Sequence, residues 1–185
     1  MTAAEIRLEA KRVVLRRFRP EDAAALAAYR SDLAVARYQS WDPPFSLVAA
    51  EEFVREMRAL DPAEPGWFQY AVEADGVVVG DVGVNLGDNR KQAEIGYTIA
   101  TAHQGNGYAT EAVGRVVEHL FVDRGLHKVS AECDARNEPS TKLLTRLGFR
   151  LEGHLVEHTW IKDEWTDDLL FGLLAREWRP LGQVR

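Results

Sequence analysis

The chain has 185 residues, 46% of them apolar and 28% charged, with a net charge of −6. That length suits one domain over 1–185, with a core at about 10–178, able to bury roughly 70% of its unfolded surface without a staple. The acidic balance argues against a nucleic-acid partner, and the lone cysteine, Cys133, excludes an intramolecular disulfide or a cysteine zinc site. No signal-like segment opens the chain and no run nears the ~20 apolar residues of a membrane span, so a cytoplasmic protein without a membrane partner is expected.

In chain order, "RVVLRRF" (12–18) reads as a strand, and Pro20 opens an alanine-rich helix over 20–31 with Glu21 and Asp22 in its first turn. "RYQSWDPPFS" (37–46) is irregular; Ser46 then caps a helix over 47–60. The segment 67–85 is a hairpin turning at Asp75-Gly76. "QAEIGYTIA" (92–100) is a strand with Ile95, Tyr97 and Ile99 on one face and Glu94, Gly96 and Thr98 on the other. Ala109, Ala112, Val113, Val116, Val117, Leu120 and Phe121 keep helical spacing, and Gly125 stops that helix. A strand (127–133), a helix (137–149, N-cap Asn137, stop at Gly148) and two strands (150–160, 165–174) turning at "KDE" complete a mixed α/β pattern, with one strong βαβ unit at 92–133.

The stretch "HQGNGYATEA" (103–112) places glycines immediately before a helix. A helix N-terminus leaves backbone N–H groups unpaired, and glycines let an anion approach them, so 104–110 is a candidate phosphate cradle. The lysine of an ATP-type P-loop is missing. A dinucleotide turn would need a third glycine where Thr110 stands; Asp134, at the end of the next strand, keeps that reading weakly open.

Gln104-x-x-Gly107-x-Ala109 resembles the Q/R-x-x-G-x-G/A signature of the GNAT superfamily of acyl-CoA-dependent N-acetyltransferases. "AEIGYTIA" before it and "ARNEPSTKLLTRLGFRLEG" (135–153) after it resemble the flanking blocks of that family. "RVVLRRFRPEDAAAL" and "GHLVEHTWIKDEWTDDLLFGLL" are similar to the Rim-type branch, which acetylates ribosomal-protein N-termini. The resemblance implies a three-layer α/β (α+β) fold: helices flank a mostly antiparallel sheet splayed between the fourth and fifth strands, at 92–100 and 127–133. It implies acetyl-CoA as co-substrate, no metal, and direct transfer to an amine acceptor, either a protein N-terminus or a small molecule. It further implies that Gln104, Gly105, Asn106, Gly107, Tyr108, Ala109 and Thr110 hold the pyrophosphate. Ile99 and Ala100 would line the pantetheine, with Asn137 and Ser140 touching that arm. A homodimer is a family habit. The alternative is a non-catalytic acyl-CoA sensor on the same fold.

Amine acetylation needs a free amine and a stabilised leaving thiolate. Glu94 matches a catalytic glutamate of the family and is the candidate base, against a plain strand-start glutamate; Glu157 and His158 are rivals. Many relatives carry a tyrosine donor where Leu144 stands here, so Ser140 is the candidate group on sulfur. Tyr38, Trp41 and Phe45 match an acceptor-covering loop, or simply fold the proline-rich segment down. His154 and His158 are expected on one strand face as surface residues rather than a metal pair, and Cys133 as an inert core thiol. Asp163, Glu164, Asp167 and Asp168 form an acidic hairpin, solvated or steering a cationic acceptor.

Overall fold

Alternation buries Val13 and Leu15 completely, which fixes the second strand of a sheet that a computed structural model describes over residues 6–180. Eight strands form one sheet: β1 (Arg7–Glu9), β2 (Val13–Arg16), β3 (Gly66–Ala74), β4 (Val77–Leu86), β5 (Gln92–Ile99), β6 (Lys128–Asp134), β7 (Arg150–Ile161) and β8 (Glu164–Leu174). Their spatial order is β1-β2-β3-β4-β5-β6-β8-β7. Only β5–β6 is parallel; the other neighbours are antiparallel. The helices are α1 (Ala23–Ser31, after a 3-10 turn at Pro20–Asp22), α2 (Leu33–Ala36), α3 (Leu47–Ala59), α4 (Tyr108–Glu118) and α5 (Glu138–Arg146).

The expected elements are present, together with a further strand, a further helical turn and a 3-10 turn at Thr101–His103. β1 carries one apolar residue, Leu8, which docks opposite Leu15. Helix α2 is a single turn begun by Asp32, whose carboxylate accepts the Ala34 N–H at 2.8 Å. The Ser46 cap accepts the Ala49 N–H at 3.1 Å. Asp75 and Gly76 both take positive φ, as a two-residue hairpin turn of this hand requires. Helix α4 runs on into a π turn (His119–Asp123) before Gly125 ends it at φ 64°.

Two cores sandwich the sheet. Ala112, Val113, Val116 and Val117 of α4 pack with Leu143 and Leu144 of α5 on Ile95, Val129 and Phe171. On the other side Leu26 and Tyr29 of α1 pack with Ala50, Val54 and Met57 of α3 on Ala71 and Val78. Buried charges there are paired: Arg16 is held by Asp22 and Glu73, and Asp81 accepts from the Tyr29 hydroxyl beside Arg30.

The parallel register runs from Gln92↔Lys128 to Ile95↔Ala131 and stops, although β5 continues to Ile99 and β6 to Asp134. Beyond it β5 stays bonded to β4, as far as Gly80↔Ile99, while β6 stays bonded to β8, as far as Asp134↔Asp168. The sheet therefore splays where the resemblance implies. Ala100 gives its N–H to Val79 on β4, so by alternation the backbone of Tyr97 and Ile99 faces the opening. Side-chain amides reach those carbonyls: Gln39 to Tyr97 O at 3.5 Å and Gln104 to Ile99 O at 2.9 Å.

Gly80 holds β4 against the last turn of this wall. A Cβ there would lie 2.0 Å from the Thr98 carbonyl oxygen and 2.9 Å from the Ile99 Cα. Gly80→Ala is expected to cost about 1–3 kcal/mol by overpacking and to lower the melting temperature by several degrees. Faster amide exchange over 97–99 should accompany the loss; an unchanged melting curve would contradict this reading of the contact.

Candidate functional site

The loop before α4 has two left-handed residues, Gly105 at φ 77° and Gly107 at φ 83°. Gly107 is the N-cap and has no side chain to satisfy the first turn, so the amides of Tyr108, Ala109 and Thr110 are free of a side-chain cap. Asn106 braces the loop from behind, donating to His103 O at 3.2 Å and Gln104 O at 3.3 Å. A Cβ on Gly105 would enter open space, while one on Gly107 would stand 3.1 Å from Arg12. That guanidinium is engaged by Glu111 and lies over the Tyr108 ring, 5.2 Å from its centroid.

Beside the loop is a cavity of about 660 Å³. Gln104, Gly105, Gly107, Tyr108, Ala109 and Thr110 line one side, and Ile99 of β5 lines another. Asn137 and Ser140, at the start of α5, line the third, with Tyr38 above. Asn137 accepts the Ser140 N–H at 3.3 Å, so the expected cap is what sets the serine's position. Ala100 and Asn106 support these walls without lining them. Sequence reasoning missed Tyr97, whose hydroxyl is 2.7 Å from Ser140 Oγ, and the basic side chains His103, Lys142 and Arg146. The i, i+4 spacing of Lys142 and Arg146 was a usable signal. The Tyr97 contact joins elements 43 positions apart and leaves no local trace.

Glu94 lies on the opposite strand face from Tyr97, between Asn85 of β4 and Ser130 of β6. It is half-buried and has no ion-pair partner among the described residues. Glu132, two residues past Ser130, continues this face. With His158 and Asp168 it forms a cluster whose potential ligand atoms lie within 4.8 Å of one another. Burial holds the Glu132 carboxyl above its usual range, reinforced by the negative charges of Asp168 and Glu94. Buried Asp168 accepts from the Thr159 hydroxyl at 2.6 Å.

The expected sharing of one face by His154 and His158 is corrected by a bulge. Between Leu155↔Asp168 and Thr159↔Thr166, residues 156–158 of β7 face Asp167 alone. Glu157 sits there at φ 47°, giving its N–H to Asp167 at 2.9 Å, and His154 Nε2 meets the other Asp167 oxygen at 2.9 Å. His158 is thereby turned to Glu132 and Asp168, whereas Glu157 is exposed on the bulge. Trp41 stacks on the Arg30 guanidinium, 4.4 Å from its ring centroid, and gives its indole N–H to Arg30 O, so it folds the 37–46 segment down and does not line the cavity. Lys162 at the β7–β8 turn holds the same segment through Gln39 O and Trp41 O. Cys133 is part-buried, and burial pushes its thiol up, as an inert thiol requires.

Residues 12–150 match the family described as the acetyltransferase (GNAT) domain. The chain belongs to the GNAT acetyltransferases. This GNAT chain is 32% identical over 173 residues to the uncharacterised N-acetyltransferase p20 of Bacillus licheniformis, covering 92% of it and 97% of p20. Over 86 residues, 46% of this chain and 44% of the relative, it is 31% identical to the [ribosomal protein uS5]-alanine N-acetyltransferase of Escherichia coli K12. Mycobacterium smegmatis RimJ in complex with CoA-disulfide superimposes with a TM-score of 0.83 at 26% identity, over 98% of this chain and 91% of RimJ. The chain is an N-acetyltransferase, and its fold is similar to that of RimJ. Among the described residues no helix is long and apolar enough to cross a membrane.

Burial of Glu94 in this GNAT sheet raises its pKa, with desolvation as the cause. The folded state then holds the proton more tightly than the unfolded chain. The cost of ionising it is present above the folded pKa and absent below the unfolded one. Glu94→Gln is expected to raise the melting temperature near pH 7 and to lose that gain below about pH 4. Melting curves across pH check this; a gain that ignores pH would contradict it.

Proposed function

We propose that this enzyme moves an acetyl group from acetyl-CoA directly onto a primary amine, with a protein N-terminal α-amine as the favoured acceptor. The observation that carries this reading is the end of the β5–β6 ladder at Ile95↔Ala131. It opens a slot with the glycine cradle on one face and Glu94 on the other. The residues present fit the cofactor. Uncapped amides at 108–110 and the open space over Gly105 suit a pyrophosphate, and Lys142 and Arg146 supply positive charge around it. Ile99 and Asn137 border the path of a pantetheine arm.

Bound acetyl-CoA supplies a thioester carbonyl: the amine nitrogen forms the new C–N bond, the C–S bond breaks, and the proton lost by nitrogen balances the thiolate. Glu94, with its raised pKa, accepts the amine's proton directly or through one water, a role worth ~10² to 10⁴ in rate. Ser140 gives a hydrogen bond to the departing sulfur. An α-amine of pKa ~8 offers a few hundredfold more free base at neutral pH than a lysine at ~10.4. The name of the Escherichia coli relative supports the same acceptor class.

Thiol release from acetyl-CoA tests this with an alanine-initiated peptide, spermidine and an aminoglycoside as acceptors. Turnover of the peptide is expected. Preference for either small amine would move the acceptor class, and acetyl-CoA binding without turnover of any amine would favour the sensor. Glu94→Gln should slow the reaction at least about a hundredfold at neutral pH, with partial recovery at high pH where the amine is already free. An unchanged rate removes Glu94 as the base. Gly107→Val forces a branched residue into φ 83° against Arg12 and should abolish CoA binding in a calorimetric titration. A covalent acetyl-enzyme trapped with acetyl-CoA alone would falsify direct transfer.

A further inference from the structure

We infer that Tyr97 is a positioning residue for the leaving group: its hydroxyl donates to Ser140 Oγ and so aims the Ser140 hydrogen at the coenzyme A sulfur. The inference rests on the cofactor reading above and adds a residue from the opposite wall of the slot. Tyr97 stands on β5 and Ser140 in the first turn of α5, and both line the cavity. Their hydroxyl oxygens are 2.7 Å apart.

A serine hydroxyl rotates freely, and its hydrogen goes wherever its neighbours leave room. The backbone of Ser140 is already fixed by the Asn137 cap, so only the rotor is undetermined. A phenol is a stronger hydrogen donor than an alkyl alcohol, which favours Tyr97 as donor and Ser140 Oγ as acceptor. The other acceptor near the phenol, the Ser140 carbonyl oxygen, is more distant at 3.4 Å. Burial holds the Tyr97 ionisation above its usual value, so the phenol keeps its proton across the working range. The Ser140 hydrogen is then released from Tyr97 and free to turn into the cavity. A hydroxyl that accepts one hydrogen bond donates a better second one, so the pair polarises towards a developing anion. No proton needs to leave either hydroxyl. The thiolate departs hydrogen-bonded and collects its proton from solvent.

A thiolate is a strong acceptor, so the departing coenzyme thiolate takes the free Ser140 hydrogen. Leu144, one turn further along α5, is wholly buried and offers nothing to the cavity. The other titratable groups that face the phenol or line the same cavity are Cys133 on β6, Lys142 and Arg146 on α5, and His103 before the loop.

The test is a pH titration of CoA bound to the intact protein, followed by thiolate ultraviolet absorbance as the difference from CoA-free protein, which removes the Cys133 signal. In the wild type the bound thiol should titrate below free CoA. Tyr97→Phe keeps the ring and its packing and should raise that pKa by about one unit, a tenfold loss of thiolate. Ser140→Ala should raise it at least as far, and the double variant no further than Ser140→Ala alone, because Tyr97 acts only through the serine. In turnover, Tyr97→Phe should lower kcat about tenfold and leave KM for acetyl-CoA unchanged. A shift in Ser140→Ala but none in Tyr97→Phe overturns the Tyr97 role alone. A wild-type thiol that titrates like free CoA overturns the Ser140 role and the Tyr97 role with it. Failure of the wild type to bind CoA overturns the cofactor reading beneath both.

Discussion

Parallel pairing of β5 with β6 ends at Ile95 and Ala131 because each strand keeps its other partner: β5 follows β4 and β6 follows β8. Backbone groups left without a strand must find other partners or face a ligand. Here Gln39 and Gln104 take the Tyr97 and Ile99 carbonyls. Everything chemical hangs on this opening. The glycine turn and the start of α5 border it on one face, and Glu94, Glu132 and His158 stand on the other. A donor and an acceptor can thus enter from opposite sides and meet within the thickness of one sheet.

Charge is arranged to match. The chain is acidic overall, at −6, yet the cations Lys142 and Arg146 stand at the cavity. The other mouth of the slot carries carboxyls: burial raises the pKa of Glu94, and burial reinforced by the charges of Asp168 and Glu94 raises that of Glu132. A phosphate-bearing donor suits the first environment and an amine the second. The acidic β7–β8 hairpin is less free than its composition implies, because Glu164 is bound by Arg136, Asp167 by His154 and Asp168 by Thr159.

Legibility in the sequence followed locality. The α4 stripe, the Asp75-Gly76 turn, the Ser46 and Asn137 caps and the glycine turn before α4 are all written in a few adjacent residues, and all are present. β1 was not legible because three residues with one apolar side chain carry no period. The bulge at 156–158 was invisible because alternation cannot register inserted residues, and it separates two histidines that a regular strand would place together. Glu132 joins His158 and Asp168 only through the pairing of β6, β7 and β8. Tyr97 looked like one more member of an apolar strand face, and its partner Ser140 is brought to it by the crossover through α4.

Coenzyme A is proposed to lie in the β5–β6 opening with its sulfur at the tyrosine–serine pair. A crystal structure of the CoA complex tests it most directly. The pyrophosphate is expected on the amides following Gly105 and Gly107, and the sulfur within hydrogen-bonding distance of Ser140 Oγ. Coenzyme density outside the opening, or a thiol directed away from Ser140, would contradict it.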